Sequence, residues 1–225
     1  MSSRISNNIL GIDTSQPETV IGLNDKVVSW VSKRNQSKEL LPKIDRLLKG
    51  QKVAPGRAGK EKIRGVVVNL GPGSFTGLRV GVTVANGFGY GLKIPVLGMS
   101  EFDVIKKAYS KIDIAVLDAR RGELFIQKKS EKPKLIPAEG LSREIKVGDS
   151  VYIDNYNLVG LIHGQLKKAG TIYIPSIGRK QKMQLMLAKP KLPKKFSQVL
   201  PLYIRGANIT LRARGRSGPA AKPKK

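Results

Sequence analysis

Gly71-Pro72-Gly73-Ser74-Phe75-Thr76-Gly77-Leu78-Arg79 decides the fold when taken with the residues on either side of it. Upstream, Val66-Val67-Val68 stands in an apolar stretch over 63–70, a β-branched run of the kind that forms a buried strand. Gly-Pro-Gly then ends regular structure, because glycine admits backbone angles that other residues avoid and proline fixes its own. Ser74 or Thr76 supplies a hydroxyl that can cap a helix by accepting from its first free amides. Residues 76–92 read as that helix, despite glycines at 77, 81, 87, 89 and 91. Each interior glycine costs about 1 kcal/mol against alanine, so five need a reason. Leu78, Val82, Ala85 and Leu92 share one face, and Gly77, Gly81, Val84 and Phe88 share another, at steps of three and four. The pattern predicts a helix that packs on its own sheet with the first face. The second, glycine-lined face is then available to an element that approaches closely.

A glycine-rich strand–loop–helix invites a phosphate, since helix N-termini attract anions. The P-loop, however, ends in Gly-Lys-Ser/Thr, and Arg79 is not placed to supply it. The loop reads Gly71-x-Gly73-x-x-x-Gly77, which meets the dinucleotide spacing only loosely, so a tight packing turn is the competing reading. The same choice arises at Asp13-Thr14-Ser15, which follows the apolar Ile9, Leu10 and Ile12. With the returning strand after it, this turn resembles the first phosphate loop of the actin-like ATPases, which implies a carboxylate and hydroxyls near a metal-bound phosphate; the competing reading is an Asx/ST turn, in which they bond their own backbone. Candidate anion-loop residues are therefore Asp13, Thr14, Ser15, Gly73, Ser74 and Thr76.

Elsewhere the pattern alternates strand and helix, which indicates an α/β body. A meander is expected over 8–33, with a turn at Asn24-Asp25. An amphipathic helix over 37–49 has Leu40, Leu41, Ile44, Leu47 and Leu48 on one face. Strands are expected at 95–99, 112–117, 123–129, 151–153, 172–174 and 200–204, and helices at 100–109, 158–168 and 179–188. The stretch 50–62 reads as an exposed, mobile connection and 189–195 as an extended linker.

Residues 71–103, GPGSFTGLRVGVTVANGFGYGLKIPVLGMSEFD, are similar to the signature of the TsaB (YeaZ) family, the non-catalytic partners of TsaD in bacterial tRNA threonylcarbamoyladenosine synthesis. Ile9-Leu10-Gly11-Ile12-Asp13-Thr14-Ser15 resembles that family's opening strand and turn. Leu117-Asp118-Ala119-Arg120-Arg121-Gly122-Glu123-Leu124-Phe125 resembles its mid-chain strand pair, and Pro201-Leu202-Tyr203-Ile204-Arg205 a late segment. The resemblance is dense over 9–126 and thin over 130–198. It implies an actin-like, ribonuclease-H-like (ASKHA) α/β fold of two lobes, each on a mixed five-stranded sheet. The N-terminal lobe would span 1–103 and the C-terminal lobe 104–205, with a basic disordered tail over 206–225.

The same resemblance implies a scaffold subunit with no catalytic residue and no metal of its own. It implies a heterodimer with TsaD through the helices at 37–49 and 76–92, with Leu40, Ile44, Gly77, Gly81, Val84 and Phe88 at the contact. A TsaE-like ATPase would dock near that junction, and the complex would modify the adenine beside the tRNA anticodon. No cofactor is implied for the chain alone, although the junction leaves room for an ATP. The same exposed face would allow a homodimer when TsaD is absent.

Two other classes stay open. The chain could be an ATP-using ASKHA transferase or hydrolase, with Asp13 and Asp118 holding Mg²⁺, or a stand-alone basic RNA-binding protein. The latter lacks clustered aromatics in sequence. Proteolysis fits poorly, with no cysteine and one histidine, His163, expected at the surface.

Charge is the unusual bulk property: the formal net charge is +26 over 225 residues. Asp154 is the last acidic residue, and fourteen Lys or Arg stand in 179–225. That asymmetry attracts polyanions. It makes Arg212, Arg214, Arg216, Lys222, Lys224 and Lys225 candidate tRNA contacts. No apolar run approaches the ~20 residues of a membrane span, and the absence of cysteine suits a cytoplasmic protein.

Overall fold

The computed structural model describes residues 8–32, 35–53, 62–129, 131–154, 156–168 and 171–204. Strands β1 (Ile9–Asp13), β2 (Glu18–Leu23) and β3 (Lys26–Val31) form the expected antiparallel meander. Asn24 closes its second turn at φ 54°, a left-handed angle that asparagine tolerates. Helix α1 (Gln36–Gly50) leads to β4 (Gly65–Asn69), parallel to β1, and α2 (Phe75–Leu92) leads to β5 (Val96–Met99), parallel to β4. The sheet order is β3-β2-β1-β4-β5. β1 and β4 are buried along their whole length, as befits central strands covered on both faces. Leu40, Ile44, Leu47 and Leu48 of α1 and Val82 and Ala85 of α2 close a core with Leu10, Ile12, Val66 and Val68.

A second five-stranded sheet follows α3 (Glu101–Ala108), which starts on a capping box between Ser100 and Asp103. Strands β6 (Ile114–Arg120), β7 (Glu123–Lys128) and β8 (Lys134–Pro137) run antiparallel. β9 (Ser150–Ile153), helix α4 (Tyr156–Lys168) and β10 (Ile172–Ile174) complete the order β10-β9-β6-β7-β8. Leu158, Ile162 and Leu166 of α4 cover one face with Val116, Ile126 and Ile153. The two mixed five-stranded sheets with their helices make the actin-like α/β fold implied by the resemblance.

Helix α5 (Arg179–Leu187) returns to the first sheet. Side chains alternate across a strand, so Gly11 faces away from Leu10, Ile12 and helices α1 and α2. Gly11 pairs with Gly22. A Cβ there would stand 2.3 Å from Met183 Sδ at Gly11 and 2.7 Å from Leu187 Cδ1 at Gly22. The two glycines thus form the notch that seats α5.

Residues 190–204 then run back along α2, with Phe196 against Gly89 and Leu202 N–H donating to Leu70 O. The strand expected at 200–204 does not form. Pro190, Pro193 and Pro201 lack the N–H that a ladder needs, and the segment is held instead by the Asn86 side chain on Val199 and by the Leu202–Leu70 bond. The sequence placed no element over 130–150, where the structure has β8 and a 3-10 turn at Ala138–Arg143. The tail over 206–225 and most of the 50–62 connection lie outside the described residues. No described helix is long and apolar enough to cross a membrane.

Candidate functional site

The candidate site begins at the end of β1. Buried Asp13 accepts from Ser15 N–H at 2.9 Å and Ser15 Oγ at 2.7 Å, closing an Asx turn. Its other carboxylate oxygen lies 2.8 Å from Arg179 Nη2. Thr14 Oγ1 donates to Gly77 O at 2.7 Å. Ser74, not Thr76, caps α2, accepting from Gly77 N–H at 3.2 Å, while its own N–H donates to Ser15 O at 2.7 Å. A Cβ on Gly73 would stand 2.3 Å from Ser15 O. The two candidate anion loops therefore close on each other, and their hydroxyls are used inside the chain. Thr76 is exposed on the first turn of α2, apart from them.

The site continues on α5. Buried Lys182 places Nζ 2.6 Å from Glu101 Oε1 and also bonds Asp154 Oδ1. Asn69 Nδ2 donates to Glu101 Oε2 at 2.6 Å, and Tyr152 OH donates to Asp154 Oδ1 at 3.1 Å. Burial disfavours both cations, yet Asp13 and Glu101 hold Arg179 above its ordinary range. Glu101 and Asp154 do the same for Lys182. Burial pushes the Tyr152 phenol up, with Lys182 opposing. Three carboxylates thus face two fixed cations. Asp118 is exposed and bonds its own turn at Arg120 N–H, 2.6 Å away, so it does not join Asp13. Among the described residues no cluster of three or more His, Cys, Asp or Glu is placed for a metal. These residues do not fit a Mg²⁺-bound nucleotide, because protein cations already neutralise the carboxylates that would receive it.

The six expected partner contacts have different fates. Leu40 and Ile44 are 0% and 1% exposed in the chain's own core, so they present no surface. A Cβ on Gly77 would meet Thr14 O at 2.1 Å, and one on Gly81 would meet Thr14 Oγ1 at 2.3 Å. The close approach these glycines permit is made by the chain's own turn. Val84 and Phe88 are half-buried against the core. The open stripe of α2 lies one step round, at Thr83, Gly87, Tyr90 and Gly91, and Leu41 of α1 is exposed as well. Nothing stands within 4 Å of a Cβ built on Gly87 or Gly91.

His163 is exposed on α4, as expected. Arg212, Arg214, Arg216, Lys222, Lys224 and Lys225 lie outside the described residues. Arg179 and Lys182 were not anticipated, although the sequence carried a signal. They stand at three- and four-residue steps with Met183 and Met186, so basic residues share the face that α5 buries.

The family model described as TsaD, tRNA N6-adenosine threonylcarbamoyltransferase, matches residues 22–182. The tRNA threonylcarbamoyladenosine biosynthesis protein TsaB of Bacillus subtilis is 32% identical over 123 residues, covering 53% of this chain and 50% of its own. The TsaB protein of Haemophilus influenzae is 29% identical over 126 residues, covering 52% and 51%. The chain thus spans about half the length of these curated relatives. A crystal structure from Pseudomonas aeruginosa, described as an uncharacterized protein with similarity to peptidase YeaZ, superposes with a TM-score of 0.62. It is 21% identical and covers 88% of this chain and 99% of that one, a likeness of fold. The chain belongs to the family of the TsaD model, tRNA N6-adenosine threonylcarbamoyltransferase, and is similar within it to the TsaB proteins.

Proposed function

We propose that the chain is a non-catalytic scaffold subunit in tRNA threonylcarbamoyladenosine synthesis, binding a TsaD-type transferase and holding it active. The observation that carries this reading is the ion-pair cluster: Arg179 and Lys182 pair from within with Asp13, Glu101 and Asp154, and Asp13 stands on the turn that resembles the first phosphate loop of actin-like ATPases. A chain that neutralises these carboxylates itself is suited to present a surface rather than to turn over a nucleotide. The surface is the open side of α1 and α2, at Leu41, Thr83, Gly87 and Gly91. Small residues there let a partner helix approach closely, and an obligate interface would bury on the order of 2,000 Å² or more.

In this reading the lobes at 1–103 and 104–205 act as one scaffold. A TsaE-like ATPase docks near the junction, an ATP has room only there, and the tail residues Arg212 to Lys225 add electrostatic attraction for tRNA. The same face supports a homodimer when the transferase is absent, and the work is cytoplasmic. Reconstitution tests the reading. Threonylcarbamoyl transfer to tRNA by the organism's TsaD homologue should need this chain, while the chain alone gives neither transfer nor ATP hydrolysis. Turnover by the isolated chain would favour an enzyme instead.

A further inference from the structure

Aromatic residues are scattered in the sequence, but the fold brings a group of planar side chains together at the start of α2. Arg79 places its guanidinium carbon 4.0 Å from the Phe75 ring centroid. Its Nε donates to Tyr203 OH at 3.2 Å across 124 residues of chain. The Phe75 and Tyr203 rings lie 5.1 Å apart and tilted by 38°. Phe75 is 39% and Tyr203 44% exposed. Fastening residues 190–204 to the lobe does not explain this group. Val199 exchanges two hydrogen bonds with Asn86, and Leu202 bonds Leu70, without any help from the rings.

We propose that Phe75, Arg79 and Tyr203 form a stacking platform for an unpaired base of single-stranded RNA. Aromatic faces and guanidinium planes are the surfaces on which splayed-out bases stack. Charge selects RNA over a protein partner. The chain carries +26, and the sequence beyond Tyr203 contains seven Arg or Lys between 205 and 225 and no acidic residue. A net charge of this size draws the phosphate backbone of a bound strand. The platform also stands on the first turn of an 18-residue helix, whose positive dipole end favours phosphate. It lies at the opposite end of α2 from Gly87 and Gly91, so it is separable from the partner face and does not rest on that reading.

Fluorescence anisotropy of the full chain with a labelled 15-nucleotide RNA lacking self-complementarity, and with the blunt duplex of that sequence, tests the platform. Phe75→Ala and Tyr203→Ala should each weaken the single strand about tenfold while changing duplex binding less than about twofold. Tyr203→Phe keeps the ring and should bind as wild type. Arg79→Lys keeps the charge but loses the plane, and should weaken the single strand. Should an alanine variant fail to fold, Arg79→Lys and Tyr203→Phe still decide the matter. Unchanged single-strand binding, or equal losses on strand and duplex, overturns the proposal. So does loss of the TsaD homologue from Phe75→Ala with RNA binding intact, which would make the group a protein contact.

Discussion

Replacing Lys182 with methionine probes the ion-pair cluster most sharply. Its ammonium bonds both Glu101 and Asp154 and is buried with Glu101 beneath α5. Methionine keeps the length of the stem but strands the carboxylates, and removing one partner of a buried ion pair costs about 3–5 kcal/mol. For a chain of this size about 2–4 °C of melting temperature is lost per kcal/mol, so Tm should fall by roughly 6–20 °C. Asp154 is partly exposed and can recruit water, so Glu101 carries most of the cost. Glu101→Gln removes that charge and can still accept from Asn69 Nδ2. Added to Lys182→Met, it should restore about half of the loss or more, giving a coupling of at least about 2 kcal/mol in a double-mutant cycle. Differential scanning calorimetry of the four proteins reads this directly. A Lys182→Met protein melting within about 2 °C of wild type, or two losses that simply add, would refute the linked cluster.

The glycines of α2 should divide by what their Cβ would meet. Gly77→Ala and Gly81→Ala collide with Thr14 and should lower Tm, whereas Gly87→Ala enters open space and should stabilise by about 0.5–1 kcal/mol through helix propensity. Asn86→Ala breaks both bonds to Val199, so amide exchange should accelerate at Val199 while global stability falls by only about 1–2 kcal/mol. The Lys128 ammonium, then that of Lys134, holds the Glu144 carboxyl below the usual range, with burial opposing. A lowered native value adds stability that is present above the ordinary glutamate pKa of about 4.3 and is lost as pH falls through the native value. Glu144→Gln should therefore be less stable at pH 7 and show a flatter acid limb in urea titrations; an identical limb would contradict the pairing.

The elements of the N-terminal half were legible because local chemistry and global packing agree there. Ser74 and the spacing of Leu78, Val82 and Ala85 announce α2, and Ser100 with Asp103 announces α3. The role of the glycines was only half legible. Spacing shows that something approaches Gly77 and Gly81 but not that Thr14, 63 residues away along the chain from Gly77, is what approaches. Leu200 to Ile204 has strand-forming composition, yet Pro201 within it, the Asn86 bonds to the preceding Val199 and the bond from Leu202 to Leu70 hold it as an irregular strap. The pairing of Arg179 and Lys182 was not legible because their carboxylates lie on β1, α3 and the turn after β9, distant in sequence. The Phe75–Tyr203 contact was hidden for the same reason.

The central claim is that the open side of α1 and α2 receives a TsaD-type transferase, and isothermal titration of this chain into the organism's TsaD homologue tests it most directly. Wild type should bind one to one, and Gly87→Arg, which fills the space open above α2, should weaken binding about tenfold or more without lowering Tm. An absence of binding, or a Gly87→Arg protein that binds as wild type does, would contradict the account.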